Sequence, residues 1–200
     1  MKAAFGVATA ALIVSGAVAH PALGQSVTRV YTKFDAKQCQ HMRGRGAEDY
    51  GSWRCPGHDG IEVWLSAGDQ RMQVSFGRAA GGEPAARQTF PAFNNIYEGT
   101  VEWRLQARPN GRRHPFATIL RWNVKRENDE RTSTGRVLVV TRLAPGGVCH
   151  VGYVDARANP DANKLAQQLA DEHARAFQCG KDKPIVAGKT SQGLSMPGAE

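Results

Sequence analysis

The chain has 200 residues, with 26 Lys and Arg against 18 Asp and Glu, a formal net charge of +8. That length suits one domain with a proper core. A positive balance speaks to partners or to solubility, not to fold, and no stretch beyond the N-terminus approaches a membrane-spanning length.

Residues 1–24 read as an export signal. Met1-Lys2 supplies one positive charge, Ala3 to Ala19 carries none, and small-residue sites follow at Ala17-Val18-Ala19 and Ala22-Leu23-Gly24. A positive start, an apolar middle and a small-residue cleavage site are the three parts of a secretory leader. A membrane anchor is the competing reading, but the run is short for hydrocarbon and Pro21 and Gly24 follow it at once. Cleavage leaves a periplasmic or secreted domain over residues 25–180. Residues 181–200, polar and containing Gly and Pro, are predicted to be a disordered tail.

Thr28 to Phe34 has the β-type residues of a short strand. Residues 40–60 are rich in Gly, Arg and polar side chains, which predicts a loop. Ile61–Leu65 and Arg71–Phe76 flank a turn-type segment, so they form a hairpin. Met72, Val74 and Phe76 alternate with polar residues, giving one buried and one wet face. Gly81-Gly82 and Pro84 predict a surface loop over 77–88. Val101, Trp103 and Leu105 point inward from the next strand, and Pro109-Asn110-Gly111 makes a turn.

Phe116 to Val124 is a further strand, with Leu120, Trp122 and Val124 on one face. The charged segment from Lys125 to Gly135 is turn-like. Val137 to Val140 is a continuous apolar run, as expected of a central strand covered on both sides. From Val148 to Asp155, Cys149, Val151 and Tyr153 share one face and His150 takes the other. The last element is a helix: Asn159 caps it, Pro160 is its first residue, and Leu165, Ala166, Leu169, Ala170, His173 and Phe177 recur at helical spacing. Gly180 ends it near Cys179. The fold class is α+β: a mostly antiparallel curled sheet of six or seven strands with one C-terminal amphipathic helix.

Four cysteines in an exported chain read as two disulfides. Cys39–Cys55 with Cys149–Cys179 is preferred, because each bridge then staples a local unit. Zinc is the competing reading for Cys39, His41, Cys55 and His58, which offer two thiols and two imidazoles within twenty residues. The tight Cys-x-His spacing and oxidation of the same thiols favour the disulfides, and no cofactor is expected.

Catalytic signatures are missing: the chain has no G-x-S-x-G, H-E-x-x-H or P-loop. Asp155, Asn159, Asp161 and Asn163 resemble calcium ligands in composition but lack the loop glycine, so helix capping explains them better. His173 belongs to the apolar stripe of its helix. Asp59, Glu62 and Asp69 have no spacing that demands a carboxylate pair.

The basic residues cluster more usefully. Arg104, Arg108, Arg112, Arg113 and His114 surround one turn, and Arg121, Lys125 and Arg126 follow on the next strand. If those strands pair, their outward arginines line one face, and the planar guanidinium fork suits phosphate or carboxylate. A solvated face neutralised by Glu102, Glu127 and Asp129 is the alternative. Trp103 and Trp122 point into the core, which speaks against a nucleic-acid groove.

Ser52-Trp53-Arg54-Cys55-Pro56-Gly57, Phe90 to Asn95, Pro115 to Trp122 and Val148 to Asp155 resemble segments of uncharacterised secreted proteins of alphaproteobacteria. The resemblance implies an envelope location and no catalytic residue. Two functions remain in view. The first is a non-catalytic periplasmic module that binds an anionic envelope component, or another periplasmic protein, through Arg104, Arg108, Arg112, Arg113 and Arg121. The second is an envelope hydrolase built on His58, His150 and nearby carboxylates.

Overall fold

Alternation at a period of two sorts the side chains onto opposite faces of each strand, and in this chain each face of the main sheet carries a hydrophobic core. The computed structural model describes residues 26–42, 50–97, 99–126 and 134–197. The export-signal segment, the glycine-rich residues 43–49 and most of the charged turn after Lys125 lie outside the described residues.

Among the described residues the strands in chain order are β1 (Val27–Lys33), β2 (Gln40–Met42), β3 (Gly51–His58), β4 (Ile61–Gly68), β5 (Arg71–Phe76), β6 (Asn94–Asn95), β7 (Thr100–Ala107), β8 (Arg113–Lys125), β9 (Thr134–Arg142), β10 (Cys149–Asp155) and β11 (Ile185–Val186), with one α-helix, α1 (Ala162–His173). They form two sheets rather than the single curled sheet expected. The larger runs β1-β7-β8-β9-β10-β11, with β6 beside the end of β8, and the smaller runs β2-β3-β4-β5. All pairs are antiparallel except β10 with β11, which is parallel. The segment expected to be a loop supplies β2 and β3, because the Cys39–Cys55 disulfide and pairing with β4 order it.

Two cores follow from this layering. Val63, Val74 and Phe76 of the small sheet face Val101, Trp103, Trp122, Val124, Val137 and Val139 of the large one. On the opposite face Ile119, Leu138, Val140 and Val154 meet Ala166, Leu169 and Ala170 of α1. The apolar run in β9 is therefore divided between both cores, as a central strand requires. The second disulfide, Cys149–Cys179, ties β10 to the chain just beyond α1.

Five further expectations change. A bulge between His150 and Gly152 inserts one residue into β10. Cys149 and Val151 therefore face the helix, while Tyr153 turns to the same side as His150 and bonds to it. The loop after β5 is not a loose surface segment: it folds into two short 3-10 turns, and Ala85 and Phe90 are fully buried. Its Glu83 and Gln88 side chains accept hydrogen bonds from the Val148 and His150 amides at 2.9 and 2.8 Å.

The helix starts two residues later than the capping pattern suggests, at Ala162, and Asp161 makes no side-chain cap. Asn159 is occupied elsewhere, its amide donating to the carbonyls of Asp155 and Lys189 and accepting from the Lys189 amide. His173 is exposed rather than part of the apolar stripe. Finally, the segment after Gly180 folds back as β11 and sinks Leu194 and Met196 into the inter-sheet core. Gly152 permits that return, since a Cβ there would lie 2.2 Å from the Ile185 carbonyl oxygen.

Candidate functional site

α1 packs over β8, β9 and β10 and leaves the β1-β7 side of the same sheet face uncovered. The step between helix and open sheet is a groove of about 790 Å³. Outward positions of β1, β7, β8 and β9 form its floor, and Asn163, Lys164 and Gln167 from the first turns of α1 form its wall.

Glu102 lies at the centre, 8% exposed, with every neighbour a donor. Arg104 Nη1 donates to it at 2.9 Å, Gln167 Nε2 donates to both carboxylate oxygens at 3.0 and 3.2 Å, and the Tyr31 hydroxyl donates at 3.3 Å. Burial and the charge of Glu102 raise the Tyr31 pKa, so the phenol stays protonated. Arg104, 6% exposed, also spans to α1, where Nε and Nη2 meet the two oxygens of Asp171 at 3.0 and 2.5 Å. Burial alone would lower the Arg104 pKa, but the hydrogen bonds and charges of Asp171 and Glu102 outweigh it and raise it.

Arg104 is shared between Glu102 and Asp171, so that cluster keeps one net negative charge, and the other charges of the groove are all positive: Arg29, Arg121, Arg136 and Lys164. None of the four is in an ion pair among the described residues. Arg121 Nη2 donates to Asn163 Oδ1 at 3.2 Å, a neutral partner, and burial together with the charge of Arg136 pushes its pKa down. Tyr31 and Tyr97, 57% and 73% exposed, also line the groove and give it flat aromatic surface. The arrangement can hold an oxyanion between guanidinium forks.

The five arginines singled out from the sequence therefore separate. Arg121 is in the groove. Arg104 supports it from beneath and is unavailable to a ligand, because Glu102 and Asp171 take up its donors. Arg108, Arg112 and Arg113 sit at the β7–β8 turn, where Arg113 donates to the Thr28 hydroxyl. Arg113 and Arg121 are eight residues apart on one strand, about 26 Å at roughly 3.3 Å per residue. His114 at that turn hydrogen-bonds Gln106 at 3.3 Å, and its pKa is lowered by burial and by Arg108.

The histidines of the hydrolase reading do not converge. His58 packs on Trp103, 6.0 Å between ring centres, whereas His150 is 1% exposed against Trp122 and bonds Tyr153. Asp59 and Asp69 occupy the turns at opposite ends of β4, and Glu62 pairs with Arg54. His41 lies on Trp53, and the thiols of Cys39 and Cys55 are joined to each other.

Arg29, Tyr31, Arg136, Lys164 and Gln167 were not among the residues read from the sequence. Outward alternation of Arg29 and Tyr31 along β1 is the signal that could have found the first two. No family model, curated protein or solved structure matches this chain.

Proposed function

We propose that this chain is an exported, disulfide-stapled binding module that holds an anionic envelope component in the groove beside α1, without catalysing its turnover. The observation that carries the reading is the set of four cations lining the groove, which outnumber the single net negative charge of the Glu102–Arg104–Asp171 cluster, so a bound anion would meet an excess of positive charge. Two disulfides suit an oxidising compartment, and among the described residues no helix is long and apolar enough to cross a membrane. The resemblance to secreted alphaproteobacterial proteins belongs to the same proposal.

The test is a titration with inorganic phosphate, followed by NMR of the arginine Nε–Hε signals. Signals of Arg121 and Arg136 shift in a saturable way, the affinity falls as salt is added, and the double substitution Arg121→Gln with Arg136→Gln abolishes the response. Shifts confined to Arg108, Arg112 and Arg113, or a response surviving the double substitution, would overturn the assignment.

A further inference from the structure

On the other side of the large sheet the two sheets part at one end, and the core opens into a cavity of about 520 Å³. Phe34, Trp53, Leu65, Met72 and Ile96 supply most of its wall, with Ala67, Cys39 and Tyr97 completing it. Apart from the Trp53 indole and the Tyr97 phenol, that lining offers hydrocarbon and sulfur. Water in such a space would have few of the polar partners it needs. An apolar occupant would bury surface at about 25 cal/mol per Å².

Ala67, Met72 and Tyr97 are shared with a second, polar recess of about 560 Å³, so the two adjoin. That recess holds Arg71, Lys125, Asn95 and Asn123. Arg71 is paired with the exposed Asp69 at 2.5 Å. Lys125 lies 5.3 Å over the Phe93 ring and has no carboxylate partner among the described residues. An apolar chamber with a cation in the adjoining recess is complementary to a molecule with a hydrocarbon tail and an acidic head.

We infer that this cavity binds a single-chain anionic lipid, its alkyl tail between the sheets and its acidic head against Lys125. The volume lies in the lower half of the roughly 300–1,000 Å³ typical of small-molecule sites, which suits one chain rather than two. Tail burial supplies most of the affinity, and Lys125 sets the preference for an acidic head. The site and the arginine groove meet at Tyr97 and Asn123, but Ala67 and Lys125 line only the former and Arg121 and Arg136 only the latter, so the two are separable by mutation.

The experiment is calorimetric titration of the full chain with dodecanoate, dodecyltrimethylammonium and dodecanol, each below its aggregation threshold. Dodecanoate binds one to one and more tightly than dodecyltrimethylammonium. Ala67→Phe, which fills the cavity, weakens dodecanoate at least about tenfold, the equivalent of roughly 1.4 kcal/mol. Lys125→Gln, at an exposed position, weakens dodecanoate severalfold and leaves dodecanol unchanged, and it keeps the inference testable if Ala67→Phe disturbs the fold. Equal binding of the cationic amphiphile, or unchanged dodecanoate affinity in a folded Ala67→Phe variant, overturns it. Arg121→Gln with Arg136→Gln leaves dodecanoate binding intact; its loss there would move the ligand to the helix-side groove and also overturn the inference.

Discussion

Arg104 on β7 grips Asp171 on α1 through two nearly parallel hydrogen bonds of 3.0 and 2.5 Å, while its remaining arm holds Glu102 at 2.9 Å. This three-point clasp fixes the helix to the sheet at the back of the groove. Arg104 and Glu102 are almost wholly buried, so removing the guanidinium strands a carboxylate that water hardly reaches. Arg104→Met lowers stability by about 3 kcal/mol, the usual consequence of breaking a buried pair. Replacing all three charges, Arg104→Met with Glu102→Gln and Asp171→Asn, recovers much of that loss, because no orphaned charge remains. Urea unfolding measures both. A single variant as stable as the parent would mean that the clasp contributes nothing.

The groove cations should behave oppositely. Arg121 and Arg136 repel one another, and Arg121 sits in a partly buried setting with only Asn163 as partner. Arg136→Gln relieves that repulsion and raises stability by a few tenths of a kcal/mol, as expected for an exposed charge, while weakening phosphate binding severalfold. Stabilisation with loss of binding marks a charge kept for a ligand rather than for the fold. Thermal unfolding and phosphate titration of the same variant decide it, and destabilisation on substitution would assign Arg136 a structural part instead.

These two arginines illustrate what could be read from the sequence. Arg104 and Arg121 look alike there, each the polar member of an alternating strand, and the strands themselves were legible because the alternation is local. What distinguishes them is Asp171, 67 residues from Arg104, whose position depends on where the helix docks. Division into two sheets was hidden for the same reason, since strand partners are a tertiary choice. The bulge in β10 left no mark in composition, so the side taken by Tyr153 was misread. Leu194 and Met196 were passed over because two apolar residues amid Gly, Pro and Ser carry no periodicity.

His150 gives the fold a pH dependence. Its Nδ1 lies 3.0 Å from the Tyr153 hydroxyl, Nε2 has no partner, and burial pushes its pKa down to about 3. The unfolded chain takes up this proton near pH 6.5, so between about pH 6.5 and 3 the unfolded state binds more protons than the folded one. Stability is therefore fully present above pH 6.5 and declines as the pH falls, approaching about 1.4 kcal/mol per pH unit for one proton. Asp155, whose pKa is lowered from 3.8, acts in the same direction only below that value. Urea midpoints between pH 7 and 4.5 should fall in the parent and much less in His150→Gln. Parallel slopes in the two proteins would remove His150 from the account.

The returning C-terminal segment is bound through two polar residues rather than through length of strand. Asn159 uses both ends of its amide, donating to the Lys189 carbonyl at 2.7 Å and accepting from the Lys189 amide at 2.9 Å. Asp155 accepts from the Ser191 amide at 2.7 Å; burial would raise its pKa, but this bond and those from Arg157 and Ala158 outweigh it. These contacts place Leu194 and Met196, 7% and 6% exposed, in the inter-sheet core. Asn159→Ala leaves the Lys189 and Asp155 carbonyls and the Lys189 amide without their partner, at a cost of about 2 kcal/mol. Ending the chain at Gly180 costs more, because burial of Leu194 and Met196 contributes roughly 1.5–3 kcal/mol each. Urea unfolding of the two variants gives the order, truncation below Asn159→Ala below the parent. A chain ending at Gly180 with the parent's midpoint would return the last twenty residues to the dispensable tail that their composition suggests.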